Sequence, residues 1–419
     1  MLRRFAWRDA RRWLPDDLGY YAHGGSHLAL SHAADLALGL LAAYLFTNFT
    51  SQETYARFGY VLSVLALASL AALPGVDTAV LYAAAKGNDA ALAHGTRLRL
   101  KSSLLGTLAM LAWAAALASI GRSAEAAVVA WCSLLVPLIY PFSTVFSHLQ
   151  GKKRFAEYAL ANVAIETAKT LAVAAAVLIL GLDGIPVILA PFLVMAGGYL
   201  LLTAIYQAGI AGEVGPEFGS IGRTLTGSAV IATVAGQFDR LIVGTFFSPA
   251  SMAAYNLGFT LTSPLRGFGS LAGRLLFPQV VRSDATAPLF RRKYGLGLLA
   301  LAMGLVTLVV AFWMLFPRVQ PLLFPGYEAS VPITRWLIVA TALGIFDTVA
   351  AQALWGLKDL RAVYLTQTAF PIQRIVLLAL GAAWQGVPGI LAAQVAHYAL
   401  SALTIVGLWL GVSARRRNG

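Results

Sequence analysis

Charge is what this chain has least of. Of its 419 residues only 12% are Asp, Glu, Lys or Arg, while 59% are hydrophobic and the mean hydropathy is +0.74. A soluble domain carries about 25% charged residues, so a chain this apolar could not cover itself with polar surface in water. A soluble enzyme is excluded. So is a disordered chain, which needs low hydrophobicity and high charge density. Cysteine is nearly absent too: Cys132 stands alone, so no disulfide can form within the chain. Nucleotide and metal motifs are also missing. No Gly-x-x-x-x-Gly-Lys-Ser/Thr loop occurs, which excludes ATP hydrolysis by that route. The six histidines, His23, His27, His32, His94, His148 and His397, lack ligand spacing, so no metal is expected. The basic start, Met1 to Trp13, has no apolar core and no cleavage site, so a signal peptide is not expected there.

What the chain does have is long apolar runs. A helix that crosses a bilayer needs roughly 20 apolar residues. Twelve such segments are read at 26–46, 58–84, 102–120, 125–148, 156–180, 184–208, 221–246, 250–279, 294–316, 330–355, 362–383 and 387–411. The runs do not alternate, which excludes a β-barrel. The expected fold is an all-α integral membrane protein with about twelve transmembrane helices. The net charge of +13 then follows from loop chemistry, because cytoplasmic loops collect Lys and Arg; no nucleic acid partner is expected. With the N-terminus inside, alternate segments hold twenty-two Lys and Arg, in clusters such as Arg3 to Arg12, Lys86 to Lys101, Lys152 to Arg154 and Arg282 to Lys293. The opposite loops hold three, Arg57, Arg122 and Arg318. That split places both termini in the cytoplasm.

The one weakly basic inner loop is 209–220, with Glu213, Pro216 and Glu217, near the middle of the chain. It divides the chain into a basic N-terminal segment (1–25), a first lobe of six spans (26–208), the inter-lobe loop (209–220), a second lobe of six (221–411) and a basic tail (412–419). Six-helix halves are a common plan among transporters. A faint repeat at an offset of 200 residues links Phe46 and Tyr55 to Gly59 with Phe246 and Tyr255 to Gly258, each around an outer turn. In the first 14 residues Leu2, Phe5, Ala6 and Trp13 share one helical face and five arginines the other. That suits a helix lying on an anionic leaflet.

Charges deep in apolar spans cost about 2.5–3.5 kcal/mol on insertion scales and usually mark function. Glu166 and Lys169 are spaced i, i+3 and can neutralise each other, a second-rank pair. Asp35, Asp239 and Asp347 are the least compensated acids and are candidates for carrying a coupled proton or cation. Arg240, Arg266 and Arg374 lie deep in the second half. Arg274 near an inner end and Arg335 near an outer end can snorkel, and complete the candidate set. Guanidinium suits phosphate because its planar fork binds two oxygens at once. These arginines bind either a phosphate-bearing substrate or the acids Asp35, Asp239 and Asp347. The run Ser263-Pro264-Leu265-Arg266-Gly267 is expected to interrupt the eighth span. Pro137 and Pro141 kink the fourth, Pro186 and Pro191 the start of the sixth, and Pro371 precedes Arg374 in the eleventh.

The stretch from Phe238 through Asp239, Arg240 and Ser248 to Tyr255 and Gly258 resembles the seventh-to-eighth helix region of Wzx-type polysaccharide-unit flippases. These belong to the multidrug/oligosaccharidyl-lipid/polysaccharide exporter superfamily. Arg274 to Pro278 is similar to that family's helix end before a basic inner loop; Ala254 stands where such proteins often carry Gly. The resemblance implies a MATE-like fold of two six-helix lobes in the bacterial cytoplasmic membrane. The substrate it implies is an undecaprenyl-pyrophosphate-linked oligosaccharide, moved to the outer leaflet by alternating access. The expected partners are the lipid bilayer, the glycan pyrophosphate and other glycan-assembly membrane proteins. No cofactor beyond a coupled proton or cation is implied.

Two other classes compete. Another secondary transporter, either a multidrug-type antiporter or an unrelated twelve-helix carrier, fits the span count, but cation exporters favour cavity acids over arginines. A membrane enzyme of glycan assembly would need a large outer loop. The longest here, 47–57 and 317–329, hold one acid each, Glu53 and Glu328, so no enzyme is expected. Reporter fusions at residues 92, 286 and 359 are expected to read cytoplasmic, and those at 52, 122 and 322 external. A run of inverted signals would displace the span count from that point on.

Overall fold

The computed structural model describes residues 18–207, 212–215, 218–282, 288–356 and 360–415, with the side chains of 18–25, 268–282, 288–291, 353, 356, 360 and 412–415 outside that description. The expected interfacial N-terminal helix therefore lies outside the described residues, as does the Arg274 side chain. Every element described is helical. The first six spans comprise α1 (Leu18–Phe49), α2 (Gln52–Ala71) with α3 (Gly75–Ala85), α4 (Ala90–Ser119), then α5 (Ser123–Ser133), α6 (Val136–Ile139) and α7 (Thr144–Gly151) in one crossing, α8 (Phe155–Ala174) and α9 (Ile185–Gln207). The last six comprise α10 (Phe218–Phe246), α11 (Pro249–Arg282), α12 (Pro288–Leu323), α13 (Ser330–Gly356), α14 (Leu360–Tyr364) leading into α15 (Phe370–Gln385), and α16 (Val387–Arg415). Among the described residues, eleven helices are long and apolar enough to cross a membrane. The remaining expected span is α11, 34 residues long and more polar, with Asn256, Thr260, Thr262, Ser263 and Arg266 along it.

Breaks in these helices have local causes. In α2 the residue before Pro74 is pushed out of the helical region: Leu73 sits at φ +53°. The Ala72 carbonyl freed by the break accepts Arg99 Nε at 2.9 Å, and the Gly75 N–H donates to Thr226 Oγ1 at 2.9 Å. The expected second span, 58–84, is thus two helices with an elbow. Pro137 and Pro141 divide the fourth span as expected. The eighth span differs from expectation, because α11 runs unbroken through Pro264. Proline removes the donor that Thr260 O would have received, and the Ser263 hydroxyl supplies one instead at 3.1 Å.

Within residues 18–207 the main contacts are α1 on α8, α8 on α9, α4 on α5 and α3 on α7; within 218–415 they are α11 on α13, α13 on α16 and α15 on α16. The two sets meet where α2 packs on α10 and α11, and α3 on α10. Small residues allow that approach. A Cβ added at Gly75 would stand 2.3 Å from Gly222 O, and one at Gly244 2.2 Å from the Tyr60 ring. The largest buried apolar cluster crosses this seam, from Phe46, Tyr55, Tyr60 and Val64 to Ile242, Met252, Tyr255 and Leu257. The opposite extreme is α12: no residue from Arg292 to Val319 is buried, and Met303, Val306, Val310 and Met314 are exposed. Such a face is stable only against hydrocarbon.

At the end of the bundle that holds the turns 50–51, 120–122 and 247–248, the two sets are tied together. Arg122 donates to Thr245 O at 2.8 Å and Gly244 O at 3.0 Å and pairs with Glu125 at 3.1 Å, so it caps the C-terminal end of α10 from across the seam. Tyr60 Oη and Thr245 Oγ1 share a hydrogen bond of 3.0 Å, and Trp113 Nε1 donates to Tyr60 Oη at 2.8 Å. Asn48 Nδ2 reaches Leu323 O at 3.0 Å and Gln52 Nε2 reaches Gly326 O at 2.7 Å. In the turn before α9, burial pushes the Asp183 carboxyl up, but bonds from Thr54 and Ser51 outweigh it and hold it below its ordinary value.

Arg99 was counted among inner-loop residues by position alone. It lies inside α4, 2% exposed, where it pairs with Asp77 and donates to Thr144 Oγ1 at 2.8 Å. Gly75→Ala must move backbone at the seam and is expected to lower stability by about 1–3 kcal/mol. Gly227→Ala, on an open helical face with nothing within 4 Å of its Cβ, is expected to keep or raise stability, by up to about 1 kcal/mol. Thermal unfolding of the detergent-solubilised variants measures both.

Candidate functional site

The second set of helices holds a buried group of charges at the meeting of α10, α11, α15 and α16. Asp239 and Arg240 are neighbours on α10 and so leave the helix roughly 100° apart. Asp239 turns inward and is fully buried. Its Oδ2 accepts Tyr255 Oη at 2.7 Å and Gln394 Nε2 at 2.6 Å, and Arg374 Nη2 stands 3.7 Å away. Its Oδ1 has no hydrogen-bond partner. Arg240 turns the other way, bonds to Gln237 one turn back and lays its guanidinium 4.1 Å over the Phe259 ring.

Arg266, on α11, lies 4.6 Å over the same Phe259 ring, so one aromatic face system serves two cations. Its Nε reaches Thr341 Oγ1 at a long 3.4 Å, and its buried Nη2 has no hydrogen-bond partner. A cavity of about 120 Å³ opens beside it, lined by Arg266, Thr341, Gly344, Ile345, Thr348 and Tyr398. Arg374 comes from α15. A π-helical turn, Leu365–Ala369, runs straight into that helix, and Pro371 follows directly after the wider turn. Arg374 Nη1 donates to Tyr398 Oη at 3.3 Å and its guanidinium lies 5.6 Å from the Tyr398 ring centre. Its Nε and Nη2 are buried without a hydrogen-bond partner. Tyr398 therefore joins Arg374 to the cavity beside Arg266.

Arg240, Arg266 and Arg374 thus form one cluster, with Asp239 as its carboxylate. Among the described residues no ion pair joins Asp35 or Asp347 to an arginine. Asp347, on α13, lies within reach of the Ser401 hydroxyl, and its Oδ1 is buried without a partner. Asp35 sits elsewhere, between α1 and α8, where Asn162 Nδ2 donates to it at 2.7 Å. One turn along α8 is the Glu166–Lys169 pair at 2.7 Å. Arg335 faces α12: it donates to Trp313 O at 3.1 Å and lies 5.4 Å from the Trp313 ring, apart from the cluster. Among the described residues no group of three His, Cys, Asp or Glu is placed to hold a metal ion.

Sequence reasoning missed Phe259, Gln394 and Tyr398. One signal was present. Gln394, His397, Tyr398 and Ser401 follow i, i+3, i+4, i+7 spacing, a polar stripe along one face of an otherwise apolar helix.

These features define a multi-pass membrane protein with the fold of the MATE transporters. An inward-facing multidrug resistance MATE family transporter of the MOP superfamily superposes with a TM-score of 0.68 at 15% identity, covering 90% of this chain and 95% of that one. An outward-facing structure gives 0.60 at 14% identity, covering 93% and 94%. A eukaryotic MATE transporter gives 0.60 at 13% identity, covering 97% and 99%. No curated protein matches the sequence. The model of the polysaccharide biosynthesis protein family matches residues 48–324, more than half of the chain, and the chain belongs to that family. Family and fold together point to a transporter rather than an enzyme.

The lone cysteine offers a clean test of the cavity. Cys132 is fully buried, so the unmodified protein is expected to resist a charged thiol reagent. Thr348→Cys is expected to label, because Thr348 is exposed and lines the cavity beside Arg266. Resistance of the folded Thr348→Cys protein would show a cavity closed to water.

Proposed function

We propose that this protein carries a lipid-linked oligosaccharide, bearing pyrophosphate on an undecaprenyl chain, from the inner to the outer leaflet of the bacterial cytoplasmic membrane. Residues 26–208 and 221–411 act as two lobes that rock about a shared cavity, with both termini in the cytoplasm. The observation that carries this reading is the unequal charge of the buried cluster. Three guanidinium groups face one carboxylate, and Arg266 and Arg374 keep buried N–H groups unspent. Unsatisfied donors in a low-dielectric site favour an anionic partner strongly. Phosphate oxygens match the guanidinium fork. Membership of a polysaccharide biosynthesis family supports a glycan as the cargo.

A cationic drug is a poor fit, because it would meet the arginines before any acid. Arg240, Arg266 and Arg374 receive the pyrophosphate; Arg274 and Arg335 stand second to them, Arg335 because it is engaged with Trp313. Asp35, Asp239 and Asp347 are the carboxyl groups through which a proton or cation gradient would drive the cycle. Glu166 and Lys169, which neutralise each other, are second-rank. Glycan-assembly membrane proteins are the natural neighbours that supply and consume the lipid-linked unit.

The test is surface glycan in a deletion strain complemented with each variant at matched membrane abundance. Ala at Arg240, Arg266 or Arg374 is expected to abolish surface glycan. Lys, which keeps the charge but loses the fork, is expected to restore it in part. Wild-type glycan from all three Ala variants would remove the cluster from the mechanism.

A further inference from the structure

We infer that Asp239 is an internal competitor for the transported anion, held on Arg374 so that bound pyrophosphate can be let go. The inference rests on the anion-binding reading above and extends it to the release step. A site of three buried guanidinium groups would bind pyrophosphate well and part with it slowly. Affinity within a set of related sites is tuned mostly through the dissociation rate. A transporter needs a device that takes a cation back from the cargo.

The geometry supplies one. Asp239 is fixed by neutral donors, Tyr255 Oη at 2.7 Å and Gln394 Nε2 at 2.6 Å, both on Oδ2. Arg374 stands farther off, at 3.7 Å, beyond hydrogen-bond reach, with its Nε and Nη2 unspent. The carboxylate is therefore anchored without Arg374, and Arg374 is paired with it in charge but not bonded to it. An incoming phosphate can draw Arg374 away without moving Asp239. Asp239 stays in place as the counter-charge to which Arg374 returns. The charged and titratable groups acting on Asp239 are Arg374, Arg240, Tyr255 and Arg266. Arg374 in turn faces Tyr398 and His397. Asp239 is thus the one carboxylate these cations share, and any anion that binds them competes with it. Tyr255 and Gln394 act through Asp239 as positioning residues: by spreading its charge over two donors they keep its hold on Arg374 loose.

Two substitutions then move binding in opposite directions. Asp239→Asn removes the competitor, so anion affinity is expected to rise about tenfold while release slows by a similar factor, within the usual range of coupling between two ligands of one site. Tyr255→Phe takes one donor from the carboxylate, which then holds Arg374 harder, so affinity is expected to fall. A merely structural role would weaken binding in both. The measurement uses the full-length protein in detergent, with inorganic pyrophosphate and a fluorescent geranylgeranyl pyrophosphate as probes. Dissociation constants come from titration and release rates from stopped flow. Comparison of the two probes tells a free anion from a lipid headgroup, and the sign of the shifts decides the inference. Tighter binding with slower release in Asp239→Asn, and weaker binding in Tyr255→Phe, is the result expected. Unchanged or weaker binding in folded Asp239→Asn overturns the inference, as does unchanged or tighter binding in Tyr255→Phe. Should Asp239→Asn fail to fold, Asp239→Ser, which also removes the carboxylate, takes its place: tighter binding with slower release is expected, and unchanged or weaker binding overturns the inference. If the unmodified protein binds neither probe, the anion-binding reading itself fails, and that result is distinct from either sign reversal.

Discussion

A guanidinium group inside a bilayer keeps its charge and loses its water, and the surrounding protein must replace that water with fixed partners. The arginines of this chain meet that demand in two ways. Arg99 is saturated by a carboxylate, a hydroxyl and a backbone carbonyl. Arg122 is held by helix-end carbonyls and Glu125. Both sites are closed and serve architecture. Arg240, Arg266 and Arg374 rest instead on the faces of Phe259 and Tyr398, with N–H groups left over. An aromatic face steadies a cation at the cost of little specificity, about 0.5–2 kcal/mol, and leaves its donors available. The saturated arginines have no donors to give, whereas these three do.

The scaffold sets where that site can open. The seam between the two sets of six spans is built on α2, α3, α10 and α11, where glycines bring backbones together. Small-residue contacts of this kind are how helices associate in lipid, where no hydrophobic force between them exists. Polar ties then gather at one end of the seam, where Arg122, Tyr60, Asn48 and Gln52 all reach across to the second set. Separating the two sets at this end has to undo them together, which makes the tie a single cooperative element rather than a series of independent latches.

Much of the fold was legible in the sequence, because run length alone distinguishes a spanning helix from a loop. Pro137 and Pro141 divide their span as read. Pro264 does not, because a single hydroxyl, that of Ser263, replaced the donor that proline removed. The elbow at Leu73–Pro74 lay hidden inside one uninterrupted apolar run. The site was legible only in its charges. Arg240, Arg266 and Arg374 stand out against apolar neighbours, whereas Phe259 and Tyr398 look like any aromatic in a membrane span. Gln394 and Asp239 are 155 positions apart and on different helices. No periodicity links them, so their contact belongs to tertiary packing alone.

The Asp77–Arg99 pair bears on how the chain reaches the membrane at all. The two residues lie 22 positions apart, on helices joined by a turn of a few residues. Delivered singly, each would resist partitioning by about 2.5–3.5 kcal/mol. Synthesis brings out the acid first and the base shortly after, on adjoining strokes of the same hairpin. The contact between them is neutral, although Arg97 and Lys101 flank it on α4. Each charge offsets the other's cost in lipid, which favours entry of the second and third spans together over entry of either alone.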